Sequence, residues 1–132
     1  MFDDQDEIVR VAAAVIRDGE KVLICQRGIN HRYGLKWEFP GGKPLPGEPM
    51  RECLERELWE ELDIEPVRPS ELKTIQVKYH DGGNFLITFF EVTEYTGDLR
   101  NKVFEAVKWV TLPEIAQHDM LEGSLPILPY LS

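Results

Sequence analysis

The chain has 132 residues, 42% of them hydrophobic, which suits one folded domain spanning residues 1–132 and leaves too little for a second of ordinary size. With 15 basic against 24 acidic residues the formal charge is −9, which argues against a partner that is a nucleic-acid polymer. A small phosphorylated ligand stays open, provided a divalent cation bridges its charge to protein carboxylates.

The N-terminal stretch Met1-Phe2-Asp3-Asp4-Gln5-Asp6-Glu7 is acidic where a secretion signal would be basic. No apolar run reaches the roughly 18 residues of a membrane span. A cytoplasmic protein without a membrane partner is therefore expected. Ile8 to Arg17 is rich in β-branched residues, Asp18-Gly19 is a turn signal, and Lys21 to Arg27 resumes a strand pattern, which together predict a hairpin. Cys25 and Cys53 are too few for a disulfide framework or a zinc cluster and are expected as buried thiols. From Gly28 to Lys36 the chain is polar and irregular. Trp37-Glu38-Phe39-Pro40-Gly41-Gly42 then predicts a short strand breaking into a glycine loop.

Pro49 suits a first helical turn, and Met50, Cys53, Leu54, Leu58 and Leu62 recur at helical spacing, so a helix is predicted through Leu62. Seven acidic residues lie between Gly42 and Ile64, and their placement matters more than their number. Glu57 and Glu61 fall inside the apolar arc of the helix, with Glu60 at its edge. Burying carboxylates costs several kcal/mol unless something compensates, and a divalent cation would. Glu57, Glu60 and Glu61 stand at positions that converge on one region and offer the hard oxygen donors preferred by Mg²⁺ or Mn²⁺. A solvated acidic face with Arg51 and Arg56 as partners explains the same pattern. The helix alone leaves both readings open.

Beyond it, Leu72 to His80 and Phe85 to Tyr95 read as strands joined through Asp81-Gly82-Gly83-Asn84, and Ala106 to Val110 as a further strand. Thr111-Leu112-Pro113-Glu114 carries a helix-start signal, and Ser124 to Leu131 is expected to form another helix. The predicted class is α+β, a mixed β-sheet sandwiched between α-helices.

The string from Gly42 to Ile64 resembles the Nudix box, in which a Gly and a Glu precede an Arg-Glu pair, an apolar residue, a Glu-Glu pair, a Gly and a closing apolar residue. Gly42, Glu48, Arg56-Glu57, Leu58, Glu60-Glu61 and Ile64 occupy those positions, and Asp63 stands where the family has Gly. At the end of a helix that position often takes the left-handed conformation, which Asp tolerates at a cost on the order of 1 kcal/mol. Trp37 to Lys43 and Cys25-Gln26-Arg27 are similar to the MutT-like branch, which includes CTP pyrophosphohydrolases.

The resemblance implies a Mg²⁺-dependent (Mn²⁺ being the alternative) hydrolase that cleaves a nucleoside triphosphate, 8-oxo-dGTP or a pyrimidine triphosphate among the candidates, to a monophosphate and pyrophosphate. It implies metal ligation by Glu57, Glu60, Glu61 and the Gly41 carbonyl. Glu57 is the first choice of general base, Glu60 shares the catalytic group, and Arg56 orients a carboxylate. Arg27, Glu38, Phe39, Pro40, Gly41 and Lys43 are implied to line the nucleotide pocket. Many members carry a further metal-binding Glu before the Trp of a later strand; Val103 holds that place, with Glu105 the nearby acid. Counting from Trp109, Ser124 falls where MutT reads its base with an Asn, with Asp119 as an alternative. Tyr79, Phe85 and Phe90 are candidates for stacking on a base. A monomer or weak homodimer is expected. Two rivals stand beside this reading. One is an ADP-ribose or nucleotide-sugar hydrolase, whose members usually carry more sequence ahead of the domain. The other is a non-catalytic nucleotide-binding Nudix module, in which the metal glutamates are usually eroded.

Overall fold

The computed structural model describes residues 7–132; the acidic stretch Met1 to Asp6 lies outside them. Strand β1 (Ile8–Asp18) turns at Gly19, where φ is +60°, into β2 (Lys21–Gln26), as the Asp18-Gly19 signal predicts. The two strands pair only beside the turn, at Arg17 with Val22 and Asp18 with Lys21. They then part and recruit different neighbours. β2 pairs antiparallel with β3 (Trp37–Glu38) and with β9 (Ala106–Thr111). β1 pairs antiparallel with β4 (Gly41–Gly42) and parallel with β7 (Asn84–Val92), which forms a hairpin with β6 (Ser70–Lys78). A separate small ladder joins β5 (Glu65–Pro66) to β8 (Tyr95–Thr96).

The mixed sheet is covered on both faces, which explains the near-continuous apolar run of β1. Ala12, Ala14 and Ile16 pack with Leu23, Phe90 and Val92 against Cys53, Leu54, Leu58 and Leu62 of helix α1 (Met50–Leu62). Their alternates Ala13 and Val15 face Val22, Ile24, Phe89, Ile115, Ile127 and Leu131 in the opposite layer. Both cysteines are free and buried in the α1 layer.

The second layer holds less helix than the sequence suggests. Helix α2 is a single turn (Leu112–Ile115), started by Thr111, whose N–H and hydroxyl both donate to Glu114 Oε1 at 2.9 and 2.7 Å. The helix expected over Ser124 to Leu131 is instead two 3₁₀ turns, Glu122–Ser124 and Leu128–Tyr130. Pro126 and Pro129 lack the N–H an α-helix needs, so only short-range bonds such as Leu128 N–H to Leu125 O and Tyr130 N–H to Ile127 O survive. No described helix is long and apolar enough to cross a membrane.

The helix α1 ends as its sequence implies. Asp63 takes the left-handed conformation, φ 64° and ψ 28°, and its N–H bonds the Trp59 carbonyl at 3.2 Å. The next orphan carbonyls are taken by the loop after β8: Lys102 N–H bonds Glu61 O at 3.0 Å and Arg100 N–H bonds Leu62 O at 2.9 Å.

Candidate active site

The parting of β1 from β2 leaves a cleft of about 470 Å³. Helix α1 supplies Glu57, Glu60 and Glu61 to its lining, β4 and its continuation supply Gly41, Gly42 and Lys43, and the β2–β3 region supplies Arg27, Glu38 and Phe39. Ser124 joins the lining from the C-terminal segment. One cleft thus gathers residues spread over almost the whole chain.

Two of the expected site residues stand behind this surface. Pro40 does not line the cleft; it is buried, and its carbonyl accepts the Ala14 N–H at 2.8 Å, holding the glycine strand to β1. Arg56 lies behind the carboxylates and ties them together. Its Nε and Nη2 donate to the two Glu48 oxygens at 2.9 Å each, its Nη1 to Glu57 at 3.0 Å and Glu60 at 3.2 Å, and its Nη2 also to the Lys43 carbonyl at 3.1 Å. Glu48 further accepts the Leu45 N–H at 3.0 Å. Arg56 and that N–H hold its carboxyl well below the usual range, at about 2. Glu48 is thereby an anchor for Arg56 and for the loop entering α1.

Gly41 and Gly42 bring the backbone against the helix. A Cβ on Gly41 would run into the Ala12 carbonyl, and one on Gly42 into the Glu57 carboxylate. Glu57 is half-buried, and burial raises its pKa against the opposing pull of Arg56. Glu61 is turned deeper. Its Oε1 is buried without a hydrogen-bond partner. Burial first, then the charges of Glu57 and Glu38, push its pKa up to about 9, although a Gly41 backbone hydrogen bond and Arg27 act the other way.

Glu38 is raised chiefly by burial, with Arg27 opposing. Arg27 Nη2 donates to Glu38 at 3.2 Å, while its Nε comes within 2.9 Å of the other carboxylate oxygen without aligning its N–H on it.

Among the described residues no three His, Cys, Asp or Glu side chains are already drawn into a metal cage. Arg56 draws Glu57 and Glu60 toward itself, and Glu61 shares the cleft with three other carboxylates, Glu38, Glu57 and Glu60. The donors nonetheless fit a hard divalent cation. An orphaned carboxylate oxygen at Glu61, a glycine notch against Glu57 and a surplus of negative charge are what such an ion would satisfy.

The cleft lining is also aromatic. Tyr79 and Phe85 line it, their ring centroids 4.5 Å apart, and Phe39 meets Phe89 edge-on at 6.5 Å. Phe90, a stacking candidate from sequence, faces the opposite way into the α1 layer, because its neighbours Phe85, Ile87 and Phe89 alternate onto the other face of β7. Ser124 Oγ is buried and accepts the Phe39 N–H at 3.4 Å. Asp119 is outside the cleft and pairs with Lys36 at 2.7 Å. Val103 lines the cleft, whereas Glu105 is exposed and outside it. Sequence reasoning passed over Tyr33, Arg32 and His31, which also line it. The available signal was a long polar loop carrying aromatic and basic residues between two strands.

Comparison with known proteins agrees with this geometry. The NUDIX domain family model matches residues 7–131. The chain is 30% identical over 122 residues to the CTP pyrophosphohydrolase of Escherichia coli, covering 92% of this chain and 90% of that protein. It is 37% identical over 95 residues to an 8-oxo-dGTP diphosphatase of Proteus vulgaris, covering 71% of this chain and 84% of that one. Among solved structures, the solution structure of the E. coli ORF135 protein superposes with a TM-score of 0.81 at 30% identity, covering 94% of this chain and 88% of the other.

Proposed function

The chain belongs to the NUDIX domain family, and from that premise we propose that it is a divalent-metal-dependent nucleoside triphosphate pyrophosphohydrolase releasing a nucleoside monophosphate and pyrophosphate. The observation that carries this reading is that one cleft holds both the carboxylates Glu57, Glu60 and Glu61 and the aromatic rings of Phe39, Tyr79 and Phe85. A triphosphate and a base have those two opposite requirements.

Glu57, Glu60, Glu61 and the Gly41 carbonyl would hold Mg²⁺, with Mn²⁺ the alternative. When bound, the ion supplies charge neutralisation at the phosphate oxygens and activation of water. Arg56 fixes the orientation of Glu57 and Glu60 through the hydrogen bonds it shares between them. Glu57, half-buried and oriented by Arg56, is suited to take the proton of the attacking water as the α–β anhydride bond breaks. Lys43 and Arg27 provide positive charge along the cleft. The aromatic residues and Ser124 receive the base.

Ser124 offers a single hydroxyl, already engaged by the Phe39 N–H, where reading 8-oxoguanine would call for an amide donor and acceptor together. This favours a pyrimidine or broad (d)NTP preference. The test is pyrophosphate release from a panel of nucleoside triphosphates, 8-oxo-dGTP and ADP-ribose, with Mg²⁺ and with EDTA, alongside Glu61→Gln. Metal-dependent release of monophosphate and pyrophosphate, lost in the variant, is expected. Turnover of ADP-ribose alone would move the assignment to nucleotide sugars, and turnover of nothing would leave a binding module.

A further inference from the structure

The loop from Gly28 to Lys36 is closed at its base, where Arg27 N–H bonds Lys36 O at 2.9 Å and Leu35 N–H bonds Arg27 O at 3.0 Å. Its tip is fastened to a distant part of the chain. The Tyr33 hydroxyl donates to Asp81 Oδ2 at 2.7 Å, and Arg32 Nη2 donates to the same oxygen at 2.8 Å. Asp81 is itself fixed in the β6–β7 turn, where its Oδ1 accepts the Gly83 N–H at 2.9 Å. Between these two anchors Tyr33 lines the cleft, its ring 5.1 Å from that of Tyr79 and tilted 56° to it. The Arg32 guanidinium stands 4.8 Å from the Tyr33 ring centre. Tyr79 is held in turn, its hydroxyl accepting the Gly123 N–H at 3.0 Å beside Ser124.

Tyr33 and Leu35 both occupy the left-handed region, at φ 60° and 66°. Residues other than glycine enter that region at a cost, and persist there when surrounding contacts over-determine them. Here the contacts are the Arg32 and Tyr33 bonds to Asp81 and, at Leu35, the N–H bond to the Arg27 carbonyl. They hold the Tyr33 ring, which the Arg32 and Arg27 guanidinium groups approach at 4.8 and 5.8 Å, in the lining of the cleft with Tyr79 and Phe85.

We propose that Tyr33 is a specificity-determining residue that stacks on the nucleobase, and that Asp81 is its positioning residue, strapping the Gly28–Lys36 loop beside the aromatic lining of the cleft. The proposal rests on the nucleotide reading above but not on turnover. Stacking on one aromatic ring contributes enough to change affinity about 5- to 100-fold, and it acts on any base because every base has a π-face. Tyr33 therefore sets a preference for nucleotides over phosphorylated sugars lacking a base.

Calorimetric titration of CMP, GMP and ribose 5-phosphate into the wild type and into Tyr33→Ala, Tyr33→Phe and Asp81→Asn tests it. Tyr33→Ala should weaken both nucleotides about 5- to 100-fold and leave ribose 5-phosphate unchanged. Tyr33→Phe keeps the ring and Asp81→Asn keeps the shape, so each should weaken the nucleotides by a smaller factor, about 2- to 10-fold, with ribose 5-phosphate again unaffected. Equal weakening of all three ligands, or unchanged nucleotide affinity in Tyr33→Ala, overturns the proposal. A protein that hydrolyses nothing would sink the enzymatic reading alone, since these titrations need no turnover.

Discussion

The carboxylate of Glu57 lies against Gly42 so closely that a Cβ at that position would require Glu57 to move, whereas the neighbouring Gly41 faces the Ala12 carbonyl. Two adjacent glycines thus face obstacles of different kinds. Gly42→Ala meets the movable end of a side chain, and should fold with stability within about 1 kcal/mol of wild type while displacing Glu57 and lowering kcat roughly 100-fold. Gly41→Ala meets backbone and should cost about 1–3 kcal/mol or more in stability. Urea unfolding and steady-state kinetics on both variants check the contrast. Equal stability loss in the two would mean that the glycines serve only the sheet.

Glu61 makes the metal-free protein sensitive to alkali. Its folded-state pKa, raised to about 9 by burial and by Glu57 and Glu38, lies above the usual carboxylate value of 4.5. The folded protein therefore holds a proton that the unfolded chain releases. Stability from this group is complete below pH 4.5 and is lost as pH rises toward 9, by at most about 1.4 kcal/mol for each pH unit. Thermal melts in EDTA should show Tm falling between pH 5 and 9, a slope that Glu61→Gln flattens. Mg²⁺ should restore Tm most strongly at the upper end, because a cation at Glu61 favours the ionised form. A wild-type melt as flat as that of Glu61→Gln would show Glu61 to be charged throughout.

Arg56 works through a planar fork, and Lys cannot replace it. Arg56→Lys keeps the charge but loses the simultaneous bonds to Glu48, Glu57, Glu60 and the Lys43 carbonyl. We expect a stability loss of about 1–3 kcal/mol and a 10- to 100-fold rise in the Mg²⁺ concentration needed for half-maximal rate. A Mg²⁺ titration of the variant that overlays the wild-type curve would reduce Arg56 to a surface cation.

The parts of this protein legible in its sequence are those governed by local chemistry. The period of Cys53, Leu54, Leu58 and Leu62 against Glu57 and Glu61 marks both the buried face of α1 and the carboxylates misplaced on it. The turns at Asp18-Gly19 and Asp81 to Asn84 mark two hairpins, and Asp63 enters the left-handed conformation that its place after the helix implies. What the sequence withholds is long-range. The parallel pairing of β1 with β7 joins segments far apart in the chain, and only that register decides that Phe85 faces the cleft while Phe90 faces α1. The role of Tyr33 depends on Asp81, which no spacing rule connects to it. Between Ser124 and Leu131 the apolar pattern suggests a helix, but two prolines outweigh it.

The left-handed Asp63 leaves room for improvement. Its φ of 64° suits glycine better, and Asp63→Gly should relieve about 1 kcal/mol of backbone strain. Against this stands the loss of the Asp63 carboxylate, which Lys102 approaches to 3.6 Å across a partly exposed surface. Such pairs contribute about 0.2–1 kcal/mol and weaken with salt. The backbone effect is the larger, so Asp63→Gly should raise the urea midpoint slightly, and by more in 0.5 M salt, the concentration we would use, than at low ionic strength. Asp63→Ala, which loses the carboxylate and keeps the strain, should lower it. A midpoint that falls in both variants would place the worth of this cap in the Lys102 contact.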